Sequence, residues 1–474
     1  MPLPQTCRIH SFPLPDGFHS VDRYLESLIS LYNEPLVQKL AGEIHILDFF
    51  LTEPDLLESC VPTEWLEFFD NEDPEAVIDF LISHDKSEDI NPPDSLVQFL
   101  SRIRSLSINR SGPSDVGTLS SCRTSAISLG MSPKKVYECE LLSDAVAAVC
   151  RTTSATHVID LGSGKGYLSR MLAFLYNYRV VAIESKESRA QEADKLDSLY
   201  MRRGGEAFLK RQNTKSGSLV HIALEVKDGD LNPVVSKVRL ENERVVLVGL
   251  HTCGNLAHHA LSSLNMTKCI TGVAVVGCCF NQMTEKCVDH DDIGFPMSRT
   301  LEHFAVALPT SARMLACQAP GTWTKETRGD FFVRHFYRAL LQRIFMDRGI
   351  LADGRAKLFI GSMRKQWYKS FHTYCMGACA KASENYRVQV SSISTDLFLI
   401  DRQTADTYFN TYKHKQHRLS ILWTLMSCVV APLTETLIHL DRFYYLAEIG
   451  ASEVHVSVIF DQSISARNLL VVGI

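Results

Sequence analysis

A glycine-rich loop carries residues whose types and spacing suit a nucleotide-like ligand. The run Asp160-Leu-Gly162-Ser-Gly164-Lys-Gly166 follows a short apolar segment and precedes a helical pattern. Glycines let the backbone approach a ligand closely, and the free amides at the start of the next helix favour its carboxylate or other polar groups. Glu184 ends the following apolar segment, 20 residues after Gly164. A carboxylate at that point can accept hydrogen bonds from both hydroxyls of a ribose.

The spacing of this loop separates it from two other glycine loops. A dinucleotide-binding loop reads G-x-G-x-x-G, whereas this one reads G-x-G-x-G and is followed by Tyr167. A Walker A loop needs Ser or Thr directly after its Lys, but Lys165 is followed by Gly166. The loop therefore predicts S-adenosylmethionine as the cofactor, the alternative being a tight turn in a non-binding sheet. Asp228, after a third strand, is a candidate for contacting adenine or is a solvated turn residue.

Alternating helix and strand patterns surround the loop and predict the fold. Such alternation is typical of a parallel sheet covered by helices on both faces. Two runs at the end of the sequence, EVHVSVIF and RNLLVVGI, form a candidate antiparallel hairpin. The predicted fold is α/β, a class I methyltransferase Rossmann-like doubly wound sheet. Its five central strands read HVIDL, RVVAIE, SLVHIALEV, RVVLVGL and TGVAVVG.

The chain divides into three predicted regions. Apolar residues at helical spacing predict an N-terminal helical region at 1–105, and a Ser-, Gly- and Thr-rich stretch predicts a linker at 106–128. The methyltransferase domain is expected at 129–474. It contains a large helical insertion at about 281–450, before the final strand hairpin, because this stretch is too long for a loop.

Polar and sulfur-bearing side chains follow the fourth and fifth predicted strands. Ligands bind beyond the carboxyl ends of the strands in an open parallel sheet, so these side chains are candidates for the acceptor side of the pocket. They are His251, Cys253, Cys278, Cys279 and Asn281. His251 could act as a general base, because imidazole titrates near neutrality. The thiols could bind zinc or could simply pack against the cofactor. The pairs lack C-x₂-C spacing, so we expect no metal.

Charge and motif content limit the substrate. The 49 Lys and Arg against 54 Asp and Glu give a formal net charge of -5, so no DNA partner is expected and any RNA contact must be local. A basic run from Arg202 to Lys215, containing Arg203, Lys210 and Arg211, predicts such a contact, or is a solvated loop. The fourth strand ends in HTCGN, which disfavours methylation of an exocyclic adenine amine. RNA is the leading substrate; a protein or small-molecule acceptor and a non-catalytic interaction module are the alternatives.

The N-terminal sequence and the cysteines predict the compartment. MPLPQTCRIHSF lacks the features of a signal peptide, so the 14 cysteines should be reduced and the protein cytoplasmic or nuclear, not secreted. Hydropathy makes a membrane segment at 419–440 conceivable. Its continuous apolar run is only 15 residues and is then interrupted by Thr434 and Glu435, which favours a buried helix. The sequence does not predict an oligomeric state.

Several longer motifs resemble the methyltransferase-like 25 family, and within it the 25B branch, which is described as carrying a ribosomal RNA adenine dimethylase domain. The resemblance covers most of the chain and implies an S-adenosylmethionine-dependent methyltransferase. The tips of the fourth and fifth strands also resemble tRNA ribose 2'-O-methyltransferases, whose Cys-Cys-His is Cys278-Cys279-Phe280 here. The family motifs are MSPKKVYE, DLGSGKGYLS, GLHTCGNLA, VGCCFNQMTE, GFPMS, FYRALLQ, LDRFYYLAE and FDQSISARNLLV.

Overall fold

The chain forms two compact units. The computed structural model describes residues 9–83, 90–110, 127–205, 217–286, 294–350, 360–361, 363–389 and 398–474. The sheet unit comprises Met1–Ser30, Leu106–Cys317 and Leu433–Ile474, and the helical unit comprises Leu31–Ser105 and Gln318–Pro432. This division differs from the three predicted regions, because most of the predicted N-terminal region and much of the predicted insertion share one unit. Periodicity reveals that a helix has an apolar face but not which distant helix covers it. Most of the predicted linker, 111–126, lies outside the described residues.

One mixed sheet forms the centre of the sheet unit. The spatial order of its eight described strands is β1-β7-β8-β6-β5-β2-β3-β4. Strand β8 runs antiparallel to both of its neighbours, and every other pair is parallel. This topology confirms the predicted doubly wound sheet and its terminal antiparallel hairpin. The strands are β1 (Ile9–Ser11), β2 (His157–Leu161), β3 (Arg179–Glu184), β4 (Ser218–Ala223), β5 (Val245–Thr252), β6 (Ile270–Gly277), β7 (Glu453–Val458) and β8 (Leu469–Gly473).

The burial of each strand explains how accurately the sequence predicts it. β2 and β8 are buried along their whole length, and their uninterrupted apolar runs are those of strands covered on both faces. β4 lies at the sheet edge, where Val220 is exposed, and it ends at Ala223, earlier than its apolar run suggests. β1 has three residues and falls inside the predicted helical region, because so short a strand has no detectable alternation.

Helices cover the sheet and make up the helical unit. In the sheet unit, buried side chains of the helix Pro133–Thr153 pack with those of β5 and β6 in the main apolar core. The described α-helices are Val21–Tyr32, Pro35–Gln38, Leu56–Cys60, Thr63–Asn71, Pro74–Ser83, Asp94–Leu106, Pro133–Thr153, Tyr167–Phe174, Glu187–Tyr200, Asn232–Val238, Leu256–Met266, Arg299–His303, Thr310–Leu315, Lys325–Asp347, Phe371–Gln389, Arg402–Tyr412, Gln416–Thr424 and Ala431–Glu448.

Ion pairs connect the two sequence segments of the helical unit. The guanidinium of Arg418 pairs with Asp55 at 3.0 Å, with Glu58 at 3.0 Å and with Asp70. Asp55 is only 1% exposed and also pairs with Lys415 at 3.3 Å. Two partly buried cations therefore connect residues more than 300 positions apart.

One helical stretch of the described chain is long and apolar enough to cross a membrane by length and composition alone. It is Arg402–Glu448, whose most apolar window has a mean hydropathy of 1.7. That window is 89% buried inside the protein, as is common for a core helix. It overlaps the segment at 419–440 that hydropathy alone singles out.

Candidate active site

The glycine loop connects β2 to the helix Tyr167–Phe174 through backbone conformations that favour glycine. Gly162, Gly164 and Gly166 have φ values of 75°, 58° and 68°. A Cβ added at Gly166 would lie 2.6 Å from Cε1 of His221, so close packing requires glycine there. A Cβ added at Gly164 would have no described atom within 4 Å. The loop is therefore packed at Gly166 and open at Gly164, where a ligand can approach the backbone.

Glu184 ends β3 and holds the glycine loop directly. Its Oε2 accepts a hydrogen bond from the Gly164 amide at 3.1 Å, and its Oε1 accepts one from the Lys186 amide at 3.0 Å. The side chain is 6% exposed, and Arg189 lies 3.9 Å from Oε1. Each carboxylate oxygen has a second lone pair. The Ser185 hydroxyl also donates to Oε1 at 3.3 Å, so Oε2 is the oxygen that can fix the loop and still accept from a ribose hydroxyl.

The other two acidic candidates occupy different environments. Asp160 is buried in β2 and accepts a hydrogen bond from the Ser169 hydroxyl, which ties the strand to the helix after the loop. Burial raises the pKa of Asp160 to about 6, although the Ser169 hydroxyl opposes this shift. Asp228 is exposed in the turn after β4, where its Oδ1 accepts from the Asp230 amide at 3.0 Å. The role of Asp228 toward adenine stays a prediction.

His251 lies at an irregularity in the pairing of β5 with β6. The register shifts between Leu250 and Thr252, and His251 has a φ of 61°, in the left-handed region that non-glycine residues seldom occupy. Its Nε2 lies 3.1 Å from Oε1 of Glu138 on the helix Pro133–Thr153, and its side chain is 28% exposed. Such bulges re-aim side chains beside active sites. Here the bulge turns the imidazole toward a buried carboxylate.

Glu138 is a candidate site residue that the sequence analysis missed. Its side chain is completely buried and accepts hydrogen bonds from Lys135 at 2.7 Å and from the Ser465 hydroxyl at 2.8 Å, in addition to its contact with His251. Burial alone would raise the pKa of Glu138, but His251 and Lys135 outweigh burial and lower it to about 2. The sequence offers only a weak signal, a Glu between Tyr137 and Cys139, because nothing in it marks that all three side chains are buried on the helix.

The three predicted thiols lie close together at the tips of β5 and β6. Sγ of Cys253 lies 3.2 Å from Sγ of Cys278 and 3.3 Å from Sγ of Cys279, and the latter two are 3.4 Å apart. Hydrogen bonding from Cys278 is the main cause that lowers the pKa of Cys253 to about 6, against the effect of burial. The pKa of Cys278 is raised by its bond to Cys253, and burial raises that of Cys279 to about 11.

Asn281 is exposed beyond β6 and pairs with a fourth thiol. Its backbone N–H donates to Sγ of Cys317 at 3.4 Å, and its side-chain Oδ1 accepts from the same thiol at 3.3 Å. The structure thus joins the catalytic candidates in three groups: His251 with Glu138, the three thiols with one another, and Asn281 with Cys317. The Cys253 thiol links the first two, because it donates to the His251 carbonyl at 3.4 Å.

Comparison with known proteins bears on the same region. Residues 134–286 match the family model described as a methyltransferase domain. The chain contains a methyltransferase domain. The matched range runs from the helix that carries Glu138 to the residues just beyond β6, and so includes the glycine loop, Glu184 and both strand tips. It confirms the predicted class of enzyme and, with it, S-adenosylmethionine as the cofactor.

Two curated relatives are similar to this chain over about half of its length. The Mus musculus protein named "Probable methyltransferase-like protein 25" is 27% identical over 284 residues, which are 57% of this chain and 42% of that protein. The Homo sapiens protein of the same name is 28% identical over 230 residues, 47% of this chain and 34% of that protein. The chain thus spans less than half of the length of these relatives. They confirm the resemblance to the methyltransferase-like 25 family but not to the 25B branch.

A solved structure also aligns with the chain. Coclaurine N-methyltransferase bound to N-methylheliamine and SAH is 12% identical, and the alignment covers 95% of this chain and 98% of that one. Its TM-score of 0.19 is too low to carry an argument.

The basic run of the methyltransferase domain is described only at its start. Arg202 and Arg203 are exposed in the helical turn Met201–Gly205, which follows the helix Glu187–Tyr200. Lys210, Arg211 and Lys215 lie outside the described residues. Contact of this run with RNA stays a prediction.

Proposed function

We propose that this chain is an S-adenosylmethionine-dependent RNA methyltransferase that uses the glycine loop and Glu184 for the cofactor and the tips of β5 and β6 for the acceptor. The observation that carries the cofactor half is the 3.1 Å hydrogen bond from the Gly164 amide to Glu184, beside a position with open space. A glycine needed only for packing would have neighbours there, as Gly166 does. When bound, the cofactor supplies an electrophilic methyl group.

His251 is the proposed general base. Because Nε2 donates to the Glu138 carboxylate at 3.1 Å, the neutral imidazole carries its lone pair on Nδ1. Nδ1 would accept the proton from a hydroxyl or nitrogen acceptor as the methyl group is transferred. Glu138 acts as a positioning residue, since it fixes the tautomer and the ring orientation without touching the acceptor. Lys135 and Ser465 keep Glu138 ionised and oriented.

RNA is the proposed substrate class because exposed Arg202 and Arg203 begin a basic run in a chain whose net charge is otherwise acidic. Guanidinium groups bind phosphate oxygens without sequence preference, which suits a positioning role. The net charge of -5 favours the second candidate, a protein or small-molecule acceptor, because it disfavours long-range attraction of nucleic acid.

In the direct test, the purified protein is incubated with labelled S-adenosylmethionine and with separate fractions of cellular RNA, protein and small molecules. The proposal is supported if RNA becomes labelled, and if this labelling disappears in the double variant Arg202→Glu, Arg203→Glu while its cofactor affinity is unchanged. Label only in protein or small molecules supports the second candidate. Cofactor binding with no acceptor labelled in any fraction would favour a non-catalytic interaction module.

A further inference from the structure

We propose that Cys253, Cys278 and Cys279 form a zinc site with three protein sulfur ligands and one open position. The three Sγ atoms make a nearly equilateral triangle with sides of 3.2, 3.3 and 3.4 Å. All three side chains are partly buried at the tips of β5 and β6. Thiolate sulfur is a preferred ligand of Zn²⁺, and this inference does not depend on the proposed acceptor.

The size of the triangle fits a tetrahedral zinc ion after a small adjustment. Zn–S bonds of about 2.3 Å place two tetrahedral ligands about 3.8 Å apart. Each pair of sulfurs would therefore have to separate by roughly half an ångström, which small rotations about χ1 supply. Because the three sulfurs already lie within 3.4 Å of one another, the strands need no rearrangement.

The local backbone explains how neighbouring cysteines can share one ion. In a strand, consecutive side chains point to opposite faces, so Cys278 and Cys279 would diverge if β6 continued. β6 ends at Gly277, and Cys279 has φ -96° and ψ 73°, outside the extended region. Both thiols consequently turn toward Cys253. The sequence-based objection to adjacent cysteines applies to a continuous strand and not to this turn.

A buried cation stands beside the thiols. Arg442 is 1% exposed, and its Nη1 lies against Gly277, 2.5 Å from where a Cβ would be. Its Nε and Nη1 have no hydrogen-bond partner among the described residues. Arg442 interacts electrostatically with Cys278 as well as with Asp441 and Glu435. Three thiolates around Zn²⁺ carry one net negative charge, and this arginine would help to balance it.

Among the residues that the structure describes, no further His, Cys, Asp or Glu ligand atom lies within 4.8 Å of all three thiol sulfurs. Nε2 of His251 lies 3.1 Å from Glu138, and the Cys317 thiol donates to Asn281 at 3.3 Å. The fourth position is thus left for an external ligand such as water or a thiolate. Three protein ligands with one open position are typical of catalytic zinc sites, whereas structural sites are closed.

The experiment measures metal content and cobalt spectra on the full chain. Protein purified without added metal should contain about one zinc ion per molecule. After removal of zinc and reduction, added Co²⁺ should give sulfur-to-cobalt charge-transfer bands and the intense visible bands of tetrahedral cobalt. Adding 2-mercaptoethanol as an external thiolate should shift the visible bands, because it takes the open position.

Cysteine variants identify the metal ligands, and a separate measurement distinguishes loss of binding from loss of folding. Cys253→Ser and Cys279→Ser should weaken Co²⁺ binding on the order of a hundredfold or more. Cys60→Ser, a partly buried thiol of the helical unit, should leave the spectra unchanged. Circular dichroism shows whether each variant is folded. The cobalt spectrum of the wild-type protein tests the site even if a variant fails to fold.

Three results would overturn the proposal. A reduced wild-type protein that takes up neither zinc nor Co²⁺ would refute a metal site. A protein in which Cys253 and Cys278 are found joined by a disulfide, with no metal bound to them under the same conditions, would also refute it. A cobalt spectrum insensitive to the thiol probe would refute the open position. Calorimetry with S-adenosylmethionine is run in parallel on the same protein. A protein that binds S-adenosylmethionine but no metal would refute the metal site and leave the proposed function standing.

Discussion

The variant Glu184→Gln tests the cofactor site at the side chain that contacts the glycine loop. Both carboxylate oxygens accept from backbone amides, those of Gly164 and Lys186. Glutamine retains one acceptor oxygen and the same shape, but it loses the charge and presents an NH₂ group where a ribose hydroxyl would donate. A hydrogen bond to a charged group contributes roughly 1.5 to 3 kcal/mol. The expected loss in cofactor affinity is therefore about 10- to 150-fold.

Calorimetric titration with S-adenosylmethionine and with S-adenosylhomocysteine measures this loss, and thermal unfolding checks that the variant is folded. Glu192→Gln is the matched control. Glu192 pairs with Lys165 of the same loop at 3.3 Å, but both side chains are about half exposed, so the pair contributes at most about 1 kcal/mol. Its dissociation constant should change by less than about fivefold.

The outcome that refutes this reasoning is a folded Glu184→Gln protein whose affinity equals that of the wild type. The carboxylate would then serve only to hold the loop. Equal losses in Glu184→Gln and Glu192→Gln would attribute the effect to the general charge around the loop, which also contradicts recognition of the ribose.

Five other substitutions test the rest of the site and the helical unit. Gly164→Val should abolish cofactor binding and cost some stability, because its φ of 58° disfavours a β-branched residue. Gly166→Val should lower the melting temperature further, because its Cβ would also meet a neighbouring ring at 2.6 Å. His251→Ala should reduce turnover on the order of a hundredfold or more while calorimetry shows unchanged cofactor affinity; equal turnover would reject the base. The pKa of Glu138 is lowered from 4.5 to about 2, so its stabilisation of about 3 kcal/mol should be complete above pH 4.5 and lost as the pH falls toward 2. Acid unfolding curves of Glu138→Gln should lack this slope. Arg418→Ala should lower the free energy of unfolding by roughly 3 kcal/mol in denaturant titrations, and an unchanged midpoint would show that its ion pairs do not matter.

Features that depend on neighbouring residues were predictable from the sequence. The glycine loop, Glu184 and the strands β2, β3 and β6 are encoded by short runs whose residue types fix the local backbone. The convergence of Cys253 with Cys278 and Cys279 was also predictable, because parallel strands place their carboxyl ends at one edge.

Features that depend on distant pairing were not predictable. Glu138 contacts His251 across 113 residues and Ser465 across 327 residues, and no periodicity marks a helix glutamate for a partner in a strand. The helical unit is a similar case, since each of its segments has an apolar face that several others could cover. Only the completed fold selects among these pairings.

The edge strand β1 has a consequence for the time course of folding during synthesis. It pairs with β7, and the Ser11 hydroxyl lies 2.8 Å from the ring nitrogen of His455, 444 residues later. At ribosomal rates of roughly 5 to 20 residues per second, β1 must wait about 20 to 90 s for its partner. β2 to β6 are made in one stretch and can pair much earlier. The growing chain therefore completes its five central strands while the edge-forming groups of β1 still lack the partner strand that will bind them.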